Sequence, residues 1–188
     1  MKKDRFVAFF DAIMAIIMTI VVLEFVIPSG PKWSDLNGFW TQLSAYFVSF
    51  FWLGVMWINL HSTWHHVERI SRPILFVNLF TLFFASLIPF LTVYVGNNIR
   101  ETVPQLLYGV DVILITICNQ ISLELLSIHN EDVKKRVKFI SIAFFGDLFI
   151  KVIGATLCVT VFPQAAIIST VVSMAFLFII FGLRKKRS

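Results

Sequence analysis

Charge is scarce in this chain. Only 14% of its 188 residues are Asp, Glu, Lys or Arg, where a soluble domain carries about a quarter. Cysteine is scarcer still. Cys118 and Cys158 stand alone inside apolar stretches, with no CxxC and no pair outside such a stretch, which argues against both a disulfide framework and a zinc site. There is no Gly-rich phosphate loop, no Ser/His/Asp order and no paired-carboxylate motif, so no enzyme chemistry and no cofactor are expected. His61 and His65 stand four apart. They lack an intervening HExxH acid and an evident third ligand, so a packing or hydrogen-bonding role is expected rather than a metal. No repeat of 20–50 residues is visible, and no connection is long enough to form a soluble domain. Residues 1–188 therefore read as a single domain.

What is present is apolar. Hydrophobic residues make up 58%, mean hydropathy is +0.85, and phenylalanine alone contributes 21 residues, a composition suited to lipid-facing and helix-packing surfaces. Six apolar segments can be drawn, at about 6–27, 41–64, 73–95, 104–127, 137–161 and 163–182. Each is roughly the 20–25 residues that a bilayer core demands of a helix. Pro28-Ser29-Gly30-Pro31, Gly96-Asn97-Asn98 and Gly182 close three of them, and Pro73, Pro104 and Pro163 stand at the starts of three. The expectation is an all-α integral membrane protein with six transmembrane helices.

The net charge of +5 suggests nucleic acid only until its distribution is seen. Basic residues cluster at Lys2/Lys3/Arg5, Arg69/Arg72, Lys134/Lys135/Arg136/Lys138 and Arg184/Lys185/Lys186/Arg187. These positions flank alternate segments. The opposite connections hold only Lys32 and Arg100. That asymmetry is the positive-inside pattern, so both termini are expected in the cytoplasm and no nucleic-acid partner is implied. Trp33 and Trp40 fall in or beside the first connection, where interfacial aromatics belong. The first segment follows two lysines but contains Asp11 and ends at Glu24, so it reads as a retained helix rather than a cleaved signal.

Ionisable groups inside apolar segments are costly and face protein or water. The set is Asp11, Glu24, Asp111, Glu124, Asp147 and Lys151. Asp147 and Lys151 are one helical turn apart with the acid first, which favours a mutual bridge over a proton or ion relay. Asp111 and Glu124 stand near opposite ends of the fourth segment, where a path and partnered interfacial groups explain them equally. On the first helix, Ile16, Ile20 and Leu23 share a face that Phe9 and Ala12/Ile13 extend, and Thr19 flanks it. Periodicity alone favours a packing face, with Thr19 bonding back to a helix carbonyl.

The order Arg5-x-x-x-Phe9-Phe10-Asp11, then Ala15-Ile16, Thr19-Ile20 and Leu23-Glu24, resembles the bacterial relatives of transmembrane protein 175, the endosomal and lysosomal potassium channel family. Its signature is R-x-x-x-F-S-D followed by an apolar helix ending in L-E. Trp64-His65-His66 resembles the element closing that family's second helix, and Asn78-Leu79 and Pro89-Phe90 resemble its third. The likeness in motif covers the first half of the chain. The resemblance implies a bacterial plasma-membrane homotetramer of six-helix subunits, with four copies of the first helix around a central pore that carries transient potassium ions. Ile16, Ile20 and Leu23 would form apolar rings that gate by resisting wetting, and Thr19 would add a ring of hydroxyls for modest potassium selectivity. Arg5 and Asp11 would hold the tilt of the pore helix through polar groups on helices two and three, with His65, His66 and Asn78 as candidate partners. Glu24 would sit at the outer mouth or bond between helices. Phe10 departs from the signature serine and removes a hydroxyl beside Asp11. A secondary or proton-coupled transporter and a non-conducting scaffold are the alternatives.

Overall fold

The computed structural model describes residues 3–64, 67 and 70–185, and every regular element among them is helical. Helix α1 spans Lys3–Leu23 and a 3-10 turn covers Trp33–Leu36. Then come α2 (Asn37–Trp64), α3 (Arg72–Ala85), α4 (Ile88–Asn97), α5 (Thr102–His129), α6 (Glu131–Thr160) and α7 (Ala165–Lys185). Five stretches are long and apolar enough to cross a bilayer: Lys3–Leu23, Trp33–Trp64, Arg72–Asn97, Thr102–Ile128 and Ala143–Thr160. A sixth apolar stretch, Ala165–Ile180, is shorter.

Two boundaries differ from the expectation, each for a local reason. The third segment is two helices rather than one. Proline at position 89 has no N–H to return to the carbonyl of Ala85, and α3 ends at that residue. Ser86 and Leu87 bridge the break, their amides donating to the carbonyls of Leu82 and Phe84, while Ser86 Oγ donates to the Phe83 carbonyl at 2.7 Å. The basic stretch after residue 130 is helical rather than a loop. Asn130 alone separates α5 from α6, donating from Nδ2 to the Leu126 carbonyl and accepting the Lys134 amide on its own carbonyl. The helix extends past its apolar part because straight-chain lysines and arginines are good helix formers.

Helix α5 is the hub, packed against α3, α4, α6 and α7. Helices α6 and α7 approach closely. A Cβ at Gly154 would collide with Ser169, and one at Gly146 would lie 2.5 Å from the Phe176 ring. Helix α1 packs against α2, α3 and α4. Phe6, Phe10, Met14, Ile17 and Val21 repeat at helical spacing and point into the core. Val7, Ile13 and Met18 pack beside them, and the opposite side of α1 turns outward.

The outward face of the first helix and its anchor

Ala8, Phe9, Ala12, Ala15, Ile16, Thr19, Ile20 and Leu23 are all exposed on the single chain. Ile16 is 55% exposed and Leu23 77%. Ala8, Ala12, Ala15, Thr19 and Leu23 follow one another at i, i+4, i+7, i+11 and i+15. Thr19 therefore lies along the middle of this face rather than beside it, with Ile16 and Ile20 at its flank. Its Oγ1 sits 3.0 Å from the Ala15 carbonyl and 2.9 Å from the Ile16 carbonyl. The hydroxyl hydrogen is thus spent on its own helix, as periodicity suggested, and the oxygen keeps lone pairs for a group approaching from outside.

Asp11 lies on the side of α1 that meets α2. Its Oδ1 accepts the indole N–H of Trp57 at 2.8 Å, and its Oδ2 lies 3.7 Å from Nδ1 of His61. The His61 ring packs against the Trp57 ring, with centroids 5.1 Å apart. His61 thus packs on Trp57 and stands beside the Asp11 carboxylate. Trp57 was not legible in advance. An indole at mid-helix reads as apolar, and only a search for a donor to satisfy Asp11 would single it out.

The expected support differs in its other members. Asn78 does not reach the first helix. It is fully buried and ties α3 to α5, donating from Nδ2 to Ser122 Oγ at 2.7 Å and to the Ile74 carbonyl at 2.8 Å. A buried amide takes the nearest acceptors, and α5 is closer than α1. His65 and His66 lie outside the described residues. Arg5 is exposed on the first turn of α1. The tie from that turn to the end of α2 is made by Lys3, whose Nζ donates to the carbonyls of Val67 at 2.9 Å and Trp64 at 3.4 Å. Phe10, where the signature has serine, is 2% exposed and packs in the core beside Phe6, which in turn meets Trp64 edge-on. The lost hydroxyl is replaced by apolar burial, and the Asp11 anchor is made without it.

Glu24 follows the last residue of α1 and is exposed. With Ile13, Ile16, Ile17, Ile20, Ser86, Pro89 and Phe90 it lines a groove of about 490 Å³ between α1 and the α3–α4 break. Glu124 is partnered, its Oε1 accepting from Gln120 Nε2 at 2.7 Å and from Ser141 Oγ at 2.8 Å. Asp147 and Lys151 form the expected bridge, 2.6 Å between Oδ2 and Nζ, at 3% exposure each. Asp111 is buried one turn from Tyr108, whose hydroxyl lies 3.1 Å from Ser49 Oγ, and Thr92 Oγ1 donates to that same serine. Glu124, Asp147, Lys151 and Asp111 belong to α5 and α6, away from the outward face of α1.

The class defined by this arrangement is a polytopic helical membrane protein whose first helix is fastened by a carboxylate on one side and bare on the other. The sequence model of the family described as "Endosomal/lysosomal potassium channel TMEM175" matches residues 5–89. A potassium channel of Chryseobacterium sp. (strain P1-3) is 34% identical over 154 residues, covering 77% of this chain and 80% of that protein. A potassium channel of Streptomyces collinus is 33% identical over 104 residues, 53% of this chain and 50% of its own length. The crystal structure of a lysosomal potassium-selective channel TMEM175 homolog from Chamaesiphon minutus superposes with a TM-score of 0.73, over 95% of this chain and 97% of that one, at 21% identity. The chain belongs to the TMEM175 family.

Proposed function

We propose that this chain is one subunit of a potassium-leaning cation channel in which four copies of α1 surround a central pore. Each subunit crosses the bacterial plasma membrane six times, with Ala165–Ile180 as the sixth crossing and both termini in the cytoplasm. The placement of thirteen of the sixteen Lys and Arg residues at one end of the helices supports that orientation.

The observation that carries the reading is the chemistry of the bare face of α1. Ala8, Ala12 and Ala15 let helices approach closely, as small residues do at helix interfaces in membranes. Ile16, Ile20 and Leu23 supply bulk at three levels, and an apolar ring that narrows a pore resists wetting. Thr19 sits between two of those levels with its oxygen lone pairs unspent. An ion crossing the rings must shed water, and potassium, the larger ion, holds its water less tightly than sodium. Weak acceptors therefore favour potassium modestly, with no carbonyl cage required. Asp11, held by Trp57 and His61, fixes the rotation of α1 so that this face and not the Phe6/Phe10/Met14 face meets the axis.

The test is cation flux from liposomes containing the purified protein, with potassium and sodium compared and Ile20→Ala alongside. Potassium should leave faster than sodium, and Ile20→Ala should raise both rates by widening a ring. Equal rates in wild type and variant would remove Ile20 from the conduction path.

A further inference from the structure

On the far side of α2 from the first helix, α2, α5, α6 and α7 line a half-open cavity of about 170 Å³ that no residue of α1 lines. The Asp147–Lys151 bridge forms part of its wall, together with Thr116, Asn119 and Gln120 of α5. Lys151 is fully engaged. Its ammonium donates to Asp147 Oδ2 at 2.6 Å and to Thr116 Oγ1 at 2.8 Å, and it lies 5.3 Å from the centre of the Trp52 ring. The acceptors are not. Asp147 Oδ1 and Asn119 Oδ1 are both buried, and neither accepts a hydrogen bond from the described residues. Two helices thus line one cavity with residues that each keep an unspent acceptor, turned just out of its open space and within reach of it by a side-chain rotation, and the remaining wall is largely apolar, with Met56, Leu123, Phe144 and Met174 among its members. Buried acceptors without donors are costly and call for a partner.

The chemistry of that partner follows. It must donate, because what is missing is donors. It must be uncharged, because the bridge already sums to zero and an added charge would be left uncompensated at membrane depth. It must carry a compact apolar body, because water alone would meet polar groups on one side only. We propose that this cavity is a binding site for an uncharged small amphiphile whose hydroxyl or amide N–H donates to Asp147 Oδ1 or Asn119 Oδ1 while its apolar part lies against Met56, Leu123 and Met174.

The site connects to conduction through α2, and this step rests on the channel reading above. Val55, Met56 and Asn59 face the cavity, whereas Trp57 and His61 of the same turns hold Asp11 of α1. A ligand that shifts α2 therefore biases the tilt of the pore helix, and the two events are linked reciprocally.

Azioctanol, an octanol carrying a photoreactive diazirine, is the probe. The purified full-length protein is photolabelled and its adducts are mapped by mass spectrometry. Two variants accompany wild type: Ala143→Phe, which fills the cavity from α6, and Asn119→Leu, which removes an acceptor at similar volume. Adducts should concentrate on Met56, Leu123 and Met174, fall by about tenfold in Asn119→Leu, the factor that one lost hydrogen bond to a buried acceptor implies, and vanish in Ala143→Phe, where the space is filled. Octanol should displace the label, and octane, octylammonium and octanoate should do so about tenfold less well. Adducts spread over outward-facing phenylalanines and unchanged in both variants would overturn the site. So would equal competition by the charged or hydroxyl-free analogues. Should Ala143→Phe fail to fold, Asn119→Leu carries the comparison alone. In liposomes, octanol should change potassium flux through wild type and not through Asn119→Leu. Labelling without that change would overturn the link to α1. A wild type that passes no potassium would overturn the channel reading, and the labelling would still decide the site.

Discussion

Two exposed apolar surfaces of this molecule differ in kind. The outward face of α3 is phenylalanine: Phe76, Phe80 and Phe83, each more than half exposed, and Phe47 and Phe51 on α2 and Phe145 and Phe149 on α6 are exposed as well. The outward face of α1 is alanine, isoleucine, one leucine and one threonine, with Phe9 its single ring. Both are apolar enough for lipid. Only the second has alanines at helical spacing along it, which shape it for another helix to come close. Large rings fill the irregular space among acyl chains, whereas alanines at helical spacing let backbones approach and leave a narrow gap between them. Under the channel proposal, exposure on a single subunit has two meanings, lipid contact for α2, α3 and α6 and self-association around a pore for α1.

Substitution at matched positions breaks or sharpens that contrast. The largest effect is expected from Ala15→Trp, which puts an indole where the proposed channel brings copies of α1 together. Overpacking at about 1–3 kcal/mol per subunit should abolish assembly, read as a shift of the detergent-purified protein to a smaller species. Phe80→Trp on α3 should assemble as wild type does. Equal behaviour of the two would erase the distinction.

A smaller effect is expected when α1 keeps its face but loses its anchor. Asp11→Ala leaves the Trp57 indole N–H without its acceptor, at a cost of about 1–3 kcal/mol. The thermal midpoint of the assembled protein should fall while the ion preference of the surviving assemblies holds. A stable Asp11→Ala assembly with altered preference would move Asp11 from supporting α1 to contacting ions.

The smallest effect is expected at the threonine. Thr19→Ala removes a weak acceptor and should reduce the potassium-over-sodium permeability ratio by a few-fold, the size of a contribution of about 0.5–1 kcal/mol, with total flux little changed. An unchanged reversal potential under mixed potassium and sodium would place selectivity elsewhere.

Much of this was legible in the sequence because the helical period carries it. Ile16, Ile20 and Leu23 fall on one face by spacing alone, and the Asp147–Lys151 bridge follows from one turn of helix with the acid first. What was not legible depends on pairs distant in sequence. Asp11 meets Trp57 across 46 residues, and Asn78 prefers Ser122 on α5 to anything on α1. No local pattern announces either contact. The α3–α4 break stands between the two. Pro89 signals a lost hydrogen bond, yet the apolar run continues across it and hides the interruption. The Asn119 and Asp147 acceptors that share a cavity became visible only when α5 and α6 were placed side by side.

The most direct test of the contrast between the two surfaces is block by a thiol-reactive cation. Single cysteines replace Ile20 on α1 and Phe80 on α3, in a background where Cys118 and Cys158 are alanine, and potassium flux is followed in liposomes. Ile20→Cys should lose its flux on exposure to the reagent while Phe80→Cys keeps it. Persistent flux through a demonstrably modified Ile20→Cys would mean that the bare face of α1 does not line the pore.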